Sequence, residues 1–258
     1  MRLTERDYKV LEALEKWGAL GLGQVDGAFF RRPEDPEERM RLMFNEIGRS
    51  DYWRGAYKRM DALRKLGLVT LQRYVNHHQT YLLTAAGHAL IRAKGRALLG
   101  GRRPTLPETF VDHELAVAGV GLILEETLGR KIISHRQLYA SRDHNRRRRV
   151  ESLIPDLWIA DQERPCAVEV ELCQKSELRY RLWGEYRDRL PTGGRVLYLT
   201  GWPRLKQTLL NLAADMRYPD LYAASLQEFR AARERCVFTS ATEETFQIAA
   251  ADPSPAAL

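Results

Sequence analysis

Residues 154–160 read Ile-Pro-Asp-Leu-Trp-Ile-Ala, and residues 166–172 read Cys-Ala-Val-Glu-Val-Glu-Leu. Two apolar runs that flank a polar segment, here 161–165, are typical of a pair of antiparallel strands and their turn. The spacing therefore predicts a β-hairpin over about 153–172. Within its apolar strands the hairpin carries three acidic residues, Asp156, Glu169 and Glu171.

The three carboxylates of this hairpin are expected to converge. Glu169 and Glu171 are two positions apart, so their side chains leave the strand on the same face. A turn centred near Glu163 places Asp156 opposite about position 170. Three such anions repel one another unless a cation or protons intervene, and Mg²⁺ or Mn²⁺ is a natural partner. The alternative is a half-exposed strand whose acids face water.

Composition describes an ordinary globular protein of one large domain or two modest ones. Of the 258 residues, 44% are hydrophobic and 29% are charged. The longest apolar run, Leu115–Leu124, is too short to span a bilayer, and the first residues lack the apolar core of a signal peptide. The three cysteines show neither metal-ligand spacing nor a disulfide framework. We expect a cytoplasmic protein with no membrane association and no small-molecule cofactor.

Positive charge is concentrated in the first part of the chain. Residues 1–105 contain 20 Lys and Arg against 12 Asp and Glu, whereas the remainder is nearly balanced with 21 against 22. Between Asp61 and Glu108 there is no acidic residue, but there are eight Lys or Arg. This distribution favours a polyanion-binding surface, with a merely solvated surface as the alternative.

A second group of patterns lies within the first hundred residues. A basic amphipathic helix from Tyr57 ends at Gly67, a strand over 69–74 and a returning strand over 80–83 follow, and Leu-Thr-Ala-Ala-Gly occupies 83–87. The combination of Leu-Gly-Leu-Val (66–69) with Leu-Thr-x-x-Gly resembles the winged helix-turn-helix module of many prokaryotic DNA-binding proteins. The resemblance covers about residues 5–97.

This resemblance implies that the helix ending at Gly67 enters the major groove and that the hairpin touches the adjacent backbone. The DNA-binding residues implied for the helix and the wing are Tyr57, Lys58, Arg59, Arg64, Arg73, His77 and His78. Winged helices also serve as protein-docking or dimerisation modules. The two histidines are typical of a polar turn tip more than of a metal site.

The second part of the chain predicts an α-β-β-β-α-β-α-β order after a Gly-, Arg- and Pro-rich linker. Together with Pro155-Asp156 and Glu169-Val170-Glu171, this order looks like the core of the PD-(D/E)xK nuclease superfamily. The expected fold class is α+β or α/β, with a winged helix-turn-helix followed by a mixed-sheet, restriction-endonuclease-like domain. The expected bounds are 1–97 for the first domain, 98–107 for the linker, 108–245 for the nuclease-like domain and 246–258 for a flexible tail.

The superfamily resemblance also implies residue roles. Asp156, Glu169 and the backbone carbonyl of Val170 would hold the metal ion, and Glu114 would supply a further acid from a helix. Glu171 stands where the motif has lysine, although a Glu-x-Glu variant occurs in active enzymes. Lys175 is a candidate replacement for that lysine, with a solvent-facing lysine as the alternative.

Four successive arginines precede the hairpin. Arg146, Arg147, Arg148 and Arg149 would clash inside a core, so we expect them on a loop or an edge. There they could bind a phosphate backbone by charge-assisted hydrogen bonds. A protein-docking or disordered loop is the alternative.

As a whole, the chain resembles the replication-relaxation family of plasmid and mobile-element proteins. That resemblance rests on His113, Pro155-Asp156, the Glu-x-Glu strand and the helix after it. Two functions remain open: a DNA-binding protein with a Mg²⁺-dependent endonuclease domain, or a non-catalytic regulator of replication or transcription whose degenerate nuclease fold serves dimerisation. The expected partner is double-stranded DNA, and a homodimer is a further candidate. A protein-interaction adaptor is a third interpretation, which predicts little salt dependence of DNA association.

Overall fold

A computed structural model of the chain describes residues 2–31, 34–44, 54–74, 77–97, 105–126, 129–140, 154–160, 165–175, 180, 194–232 and 235–248. The protein is a mixed α+β protein whose chain divides into two compact units. The first consists of Met1–Leu122 with Arg136–Arg142, and the second of Ile123–His135 with Asp143–Leu258. The domain and linker bounds drawn from the sequence stay predictions.

The first unit is largely helical around a small antiparallel sheet with the strand order β1-β3-β2. The two-residue β1 is an element that the sequence pattern did not predict. The elements in chain order are α1 (Glu5–Trp17), β1 (Leu20–Gly21), α2 (Leu22–Val25), a π-helical segment (Asp26–Phe30), α3 (Pro36–Met43), α4 (Arg54–Lys65), β2 (Val69–Tyr74), β3 (His77–Leu83), α5 (Ala85–Ala93) and α6 (Glu108–Glu126).

Two sequence motifs of the first unit form one structural junction. Gly67 follows α4 with a φ of 72°, a left-handed conformation that favours glycine, and Leu68 N donates to Leu63 O at 3.0 Å. The Thr84 hydroxyl donates to Leu68 O at 2.9 Å and accepts from Gly87 N at 3.0 Å, which starts α5. A Cβ at Gly87 would lie 2.2 Å from Leu68 O. This contact explains why Leu-Gly-Leu and Leu-Thr-x-x-Gly occur together.

The second unit is built on a seven-stranded mixed sheet with the order β10-β9-β8-β7-β6-β5-β4. The central β6, β7 and β8 are parallel, and the strands on both sides pair antiparallel. After α6 the elements in chain order are β4 (Ile132–Ser134), α7 (His135–Ala140), β5 (Leu157–Ile159), β6 (Cys166–Glu171), β7 (Arg195–Thr200), α8 (Pro203–Asp215), β8 (Leu221–Ser225), α9 (Leu226–Ala232), β9 (Val237–Ser240) and β10 (Thr245–Gln247). Of these, α7 belongs to the first unit from Arg136 onward.

Helix α8 covers one face of this sheet. Its Leu205, Leu209 and Ala213 belong to a buried apolar cluster with Ala167 of β6 and Val196 of β7. Residues at alternate positions of a strand share a face, so Glu169 and Glu171 leave β6 on the same side as Ala167. The acidic strand positions therefore lie on the face that α8 covers.

Some expected elements differ in extent. The predicted strand over 132–139 is wrong after Ser134, because residues from His135 form α7. The chain turns into the helix there, although His135 N still donates to Asp156 O at 2.9 Å. The strand β10 was not predicted. Among the described residues, no helix combines the length and the apolar character that crossing a membrane requires.

Candidate active site

The hairpin register brings Asp156 to Glu169. Leu157 pairs with Val168 and Ile159 with Cys166, so continuing the ladder by one residue places Asp156 opposite Glu169, one position from the expected 170. Directly opposite residues share a face of a sheet. The Asp156 carboxylate is fixed there, since its Oδ2 accepts a hydrogen bond from Val170 N at 2.9 Å.

Glu169 and Glu171 lie at the carboxyl end of the central strand. They are 9% and 2% exposed, and their partners on the parallel strand β7 are Tyr198 and Thr200. Gly201 N, just beyond β7, donates to Glu171 O at 2.8 Å. In open α/β sheets, ligands bind outside the carboxyl ends of the parallel strands, so this edge is the expected place for a site.

Lys175 supplies positive charge to this acidic edge. Its Nζ lies 2.7 Å from Glu171 Oε2, and the Glu171 side chain is almost completely buried. The chain leaves β6 at Glu171 and turns back, and Lys175 N donates to the Tyr180 hydroxyl at 2.9 Å. Because Tyr180 is buried in the core cluster, this hydrogen bond anchors the loop that carries the lysine.

All three acids act on Lys175. Burial alone would lower the pKa of Lys175, but the hydrogen bond to Glu171 and the charges of Glu171, Glu169 and Asp156 raise it above its ordinary value. The side chain is therefore a protonated ammonium at neutral pH. Such a group acts by its charge and its hydrogen-bond donors, and it does not accept a proton from water.

The oxygen atoms at this edge determine how a small divalent cation could be bound. Within the described residues, no group of three or more His, Cys, Asp or Glu side chains is arranged to hold a metal ion. Glu171 is bonded to Lys175, and the carboxylates of Asp156 and Glu169 with the carbonyl of Val170 are the other candidate oxygen ligands. Mg²⁺ commonly takes one or two carboxylates and completes its shell with water and phosphate, so this donor set fits it.

The other residues that the sequence assigned to the nuclease-like part stay predictions. Glu114 is buried in α6 and belongs to the first unit, so its proposed role as a further acid stays a prediction. The arginines 146–149 lie outside the described residues.

The predicted DNA-binding residues of the first unit are mostly exposed. Tyr57 is 45% exposed on α4, and Lys58 and Arg64 of the same helix are exposed as well. Arg64 and Lys65 each form an ion pair with Asp61, at 2.7 and 2.8 Å. Arg73 of β2 is exposed. His77 and His78 lie in β3, but their side chains are outside the described part.

Arg59 differs from its neighbours on α4. Its guanidinium donates to both carboxylate oxygens of Asp7, with Nε at 2.5 Å from Oδ1. Asp7 is 1% exposed and also accepts from the backbone N and hydroxyl of Thr4, at 2.5 and 2.8 Å. Arg59 therefore joins α4 to α1, a role that the sequence analysis did not foresee.

Two contributors to the acidic edge were missed by the sequence analysis. Gly201, whose amide bonds to Glu171, and Thr200, which pairs with Glu171, come from a strand that is separated from β6 by more than twenty residues of sequence. Both residues could have been predicted from the sequence, because the polar pair Thr-Gly follows the apolar run Val-Leu-Tyr-Leu. Residues at the carboxyl ends of parallel strands commonly bind ligands.

The fold and the site define a mixed α+β protein with a carboxylate and lysine cluster at the carboxyl edge of a seven-stranded sheet. The family described as replication-relaxation matches residues 38–190, more than half of the chain, and the chain belongs to this family. Family membership relates the protein to replication of mobile elements. Neither the curated proteins nor the solved structures gave a match.

Proposed function

We propose that the protein binds DNA through its first unit and nicks or cleaves DNA through a restriction-endonuclease-like second unit. The observation that carries the proposal is the contact of Lys175 Nζ with Glu171 at 2.7 Å, on an edge where Asp156 and Glu169 also act on that ammonium. This set combines the acids that resemble the PD-(D/E)xK motif with a lysine that follows the end of β6.

The roles follow from charge and position. Asp156 and Glu169, with the carbonyl of Val170, would hold Mg²⁺ or Mn²⁺, and the bound cation would offset the negative charge that develops on the phosphate. Lys175 stays protonated, so it attracts the phosphate and orients the attacking water by donating hydrogen bonds. Glu171 holds the ammonium in place. A glutamate at position 171, where the motif usually has lysine, is therefore compatible with catalysis.

The first unit would act as a winged helix, with α4 as the helix that enters the groove and the β2-β3 hairpin as the wing. Support comes from the exposed Tyr57, Lys58, Arg64 and Arg73 and from the surplus of positive charge in residues 1–105. Because Arg59 is engaged by Asp7, we assign it to positioning α4 and not to a primary phosphate contact.

A plasmid assay tests the proposal. Supercoiled plasmid is incubated with purified protein in Mg²⁺ or Mn²⁺, and the nicked and linear products are measured. We expect Asp156→Asn and Glu169→Gln to lower the nicking rate by at least about 100-fold, since each removes charge that the cation requires.

Asp215→Asn is the matched control. Asp215 is an exposed carboxylate at the end of α8, about 20 Å along the helix from the end that adjoins the acidic edge. This variant should nick at the wild-type rate. Absence of metal-dependent nicking by the wild-type protein, under conditions where it binds the plasmid, would refute the nuclease.

The second candidate is a non-catalytic DNA-binding regulator. The observation that favours it is that Glu171 is bonded to Lys175, while no three acidic or histidine side chains of the described residues could share a metal ion. It predicts DNA binding that is unchanged by Asp156→Asn and by chelation of divalent cations.

A further inference from the structure

Trp202 is an exposed tryptophan at the carboxyl edge of the second unit. Its side chain is 43% exposed, whereas Trp17, in the first unit, is 2% exposed. Tryptophan is highly buried on average, so an exposed indole is unusual on a protein surface. It precedes Pro203 at the start of α8.

The backbone of Trp202 is fixed to the acidic edge. The preceding Gly201 N donates to Glu171 O at 2.8 Å, and the carbonyl of Trp202 accepts from the Thr200 hydroxyl at 3.2 Å and from Leu205 N at 3.1 Å. Hydrogen bonds on both sides thus hold the residue beside the strand end that carries Glu171. Its exposed indole is therefore presented on an ordered support.

We propose that Trp202 stacks on an unpaired base of the DNA strand that occupies the acidic edge, and that the second unit therefore acts on single-stranded or locally opened DNA. The proposal rests on the proposed function and names the substrate class of the same site. In this role Trp202 is a positioning residue, because it holds the strand and does not touch the reacting phosphate.

The chemistry of the surroundings supports a nucleic-acid strand as the occupant. A base offers an aromatic face that stacks on an indole whatever its sequence, and nearby cations hold the backbone. Lys175, which follows β6, and the exposed Arg204, in the first turn of α8, provide positive charge. In a duplex both faces of each base are covered by neighbouring base pairs, so stacking on Trp202 requires an unpaired base.

Cys173 offers a local probe for this strand. It is exposed and lies two residues after Glu171, whereas Cys166 and Cys236 are buried. Burial raises the pKa of Cys166 to about 11 and that of Cys236 to about 12, so both thiols react slowly at neutral pH. Maleimide labelling of the full-length protein therefore reports on access to Cys173.

The experiment measures the labelling rate of Cys173 with and without a short single-stranded oligonucleotide of mixed sequence, in EDTA to prevent cleavage. A duplex of the same sequence is the second probe. For the wild-type protein we expect the single strand to slow labelling and the duplex to do so much less. For Trp202→Ala, the oligonucleotide concentration for half-protection should rise about tenfold, as expected for loss of one stacked base.

Trp202→Phe should retain most of the protection, because a smaller aromatic ring still stacks. The matched control is Val237→Ala, which truncates another exposed apolar residue of the second unit and should leave protection unchanged. Equal protection of wild type and Trp202→Ala, failure of phenylalanine to restore it, or equal protection by the duplex would overturn the proposal.

The outcome is separable from that of the plasmid assay. Protection that depends on Trp202 in a protein that never nicks plasmid would refute the nuclease and leave strand binding in place. Metal-dependent nicking without protection by the single strand would refute the role of Trp202 and leave the nuclease.

Discussion

Two buried carboxylates, one in each unit, are held by basic side chains in similar ways. Asp7 of the first unit is bonded to Arg59, and Glu171 of the second unit is bonded to Lys175. The Asp7 pair joins two helices, and Thr4 provides additional donors. The Glu171 pair adjoins two more carboxylates at the edge of a sheet.

The difference shows how the same kind of ion pair can serve stability or chemistry. A buried carboxylate that is matched by a guanidinium and local donors is a closed structural unit. At the second pair, the charges of three acids act on one ammonium at the end of a parallel strand, where open α/β sheets bind ligands. Because of this position, we propose a chemical role for the second pair and an architectural role for the first.

The largest effect is expected from Lys175→Met. Loss of the ammonium should lower plasmid nicking by about 100-fold, because the phosphate loses its positively charged donor. The control Lys206→Met breaks a pair with the exposed Glu228 in the same unit and should keep activity.

Adding Glu171→Gln to Lys175→Met sharpens the test. The second change removes the carboxylate that was left buried without its cation, so it should restore part of the stability but none of the activity. Recovery of nicking in the double variant would contradict the catalytic assignment of Lys175. Thermal unfolding and plasmid nicking are measured for Lys175→Met, for Lys206→Met and for the double variant.

Asp7→Asn should act on stability alone. At neutral pH we expect it to lower the free energy of unfolding by about 2 kcal/mol, since Arg59 and Thr4 lose a charged acceptor. Burial alone would raise the pKa of Asp7, but the hydrogen bonds from Arg59 and Thr4 hold the pKa below its ordinary value.

The pH dependence of that difference checks its cause. A carboxylate with a lowered folded-state pKa stabilises the protein above its unfolded pKa, and this stability is lost as pH falls through the folded pKa. The gap between wild type and Asp7→Asn in urea unfolding should therefore shrink below about pH 4. A gap that is constant from neutral to acidic pH would contradict the ion-pair explanation.

A smaller effect separates two adjacent residues of α4. Lys58→Gln should weaken DNA binding several-fold and reduce the slope of log affinity against log salt by about 1, because one phosphate contact is lost. Arg59→Gln should instead lower the stability of the first unit. An unchanged salt slope in Lys58→Gln would remove α4 from the proposed DNA interface.

The smallest effect is expected from Asp61→Asn. Asp61 pairs with Arg64 and Lys65 on the surface of α4, and such exposed pairs contribute little to stability because water screens them. Removing this negative charge should leave stability almost unchanged and raise DNA affinity about twofold. Weaker DNA binding by this variant would show that α4 does not face the phosphates.

Sequence patterns predicted the hairpin because it is local: two apolar runs that flank a short polar segment are neighbours in the chain. The predicted register differs from the observed one by a single residue. The difference matters, because the observed register places Asp156 directly opposite Glu169. Turn geometry selects the register, and the turn residues alone did not define that geometry. The extent of β4 was also wrong, because a short apolar pattern does not distinguish one strand from a shorter strand that is followed by a helix.

By itself, the sequence determined the family, the apolar strands and the acids of the central hairpin, and the glycines of the junction between α4 and α5, since each depends on short-range periodicity or backbone conformation. Only the tertiary structure decided that Arg59 binds Asp7 across 52 residues and that Gly201 binds Glu171 beside an exposed Trp202. It also decided that Lys175 folds back onto Glu171. These contacts form when strand ends and helices that are distant in sequence pack together, and local sequence patterns do not predict that packing.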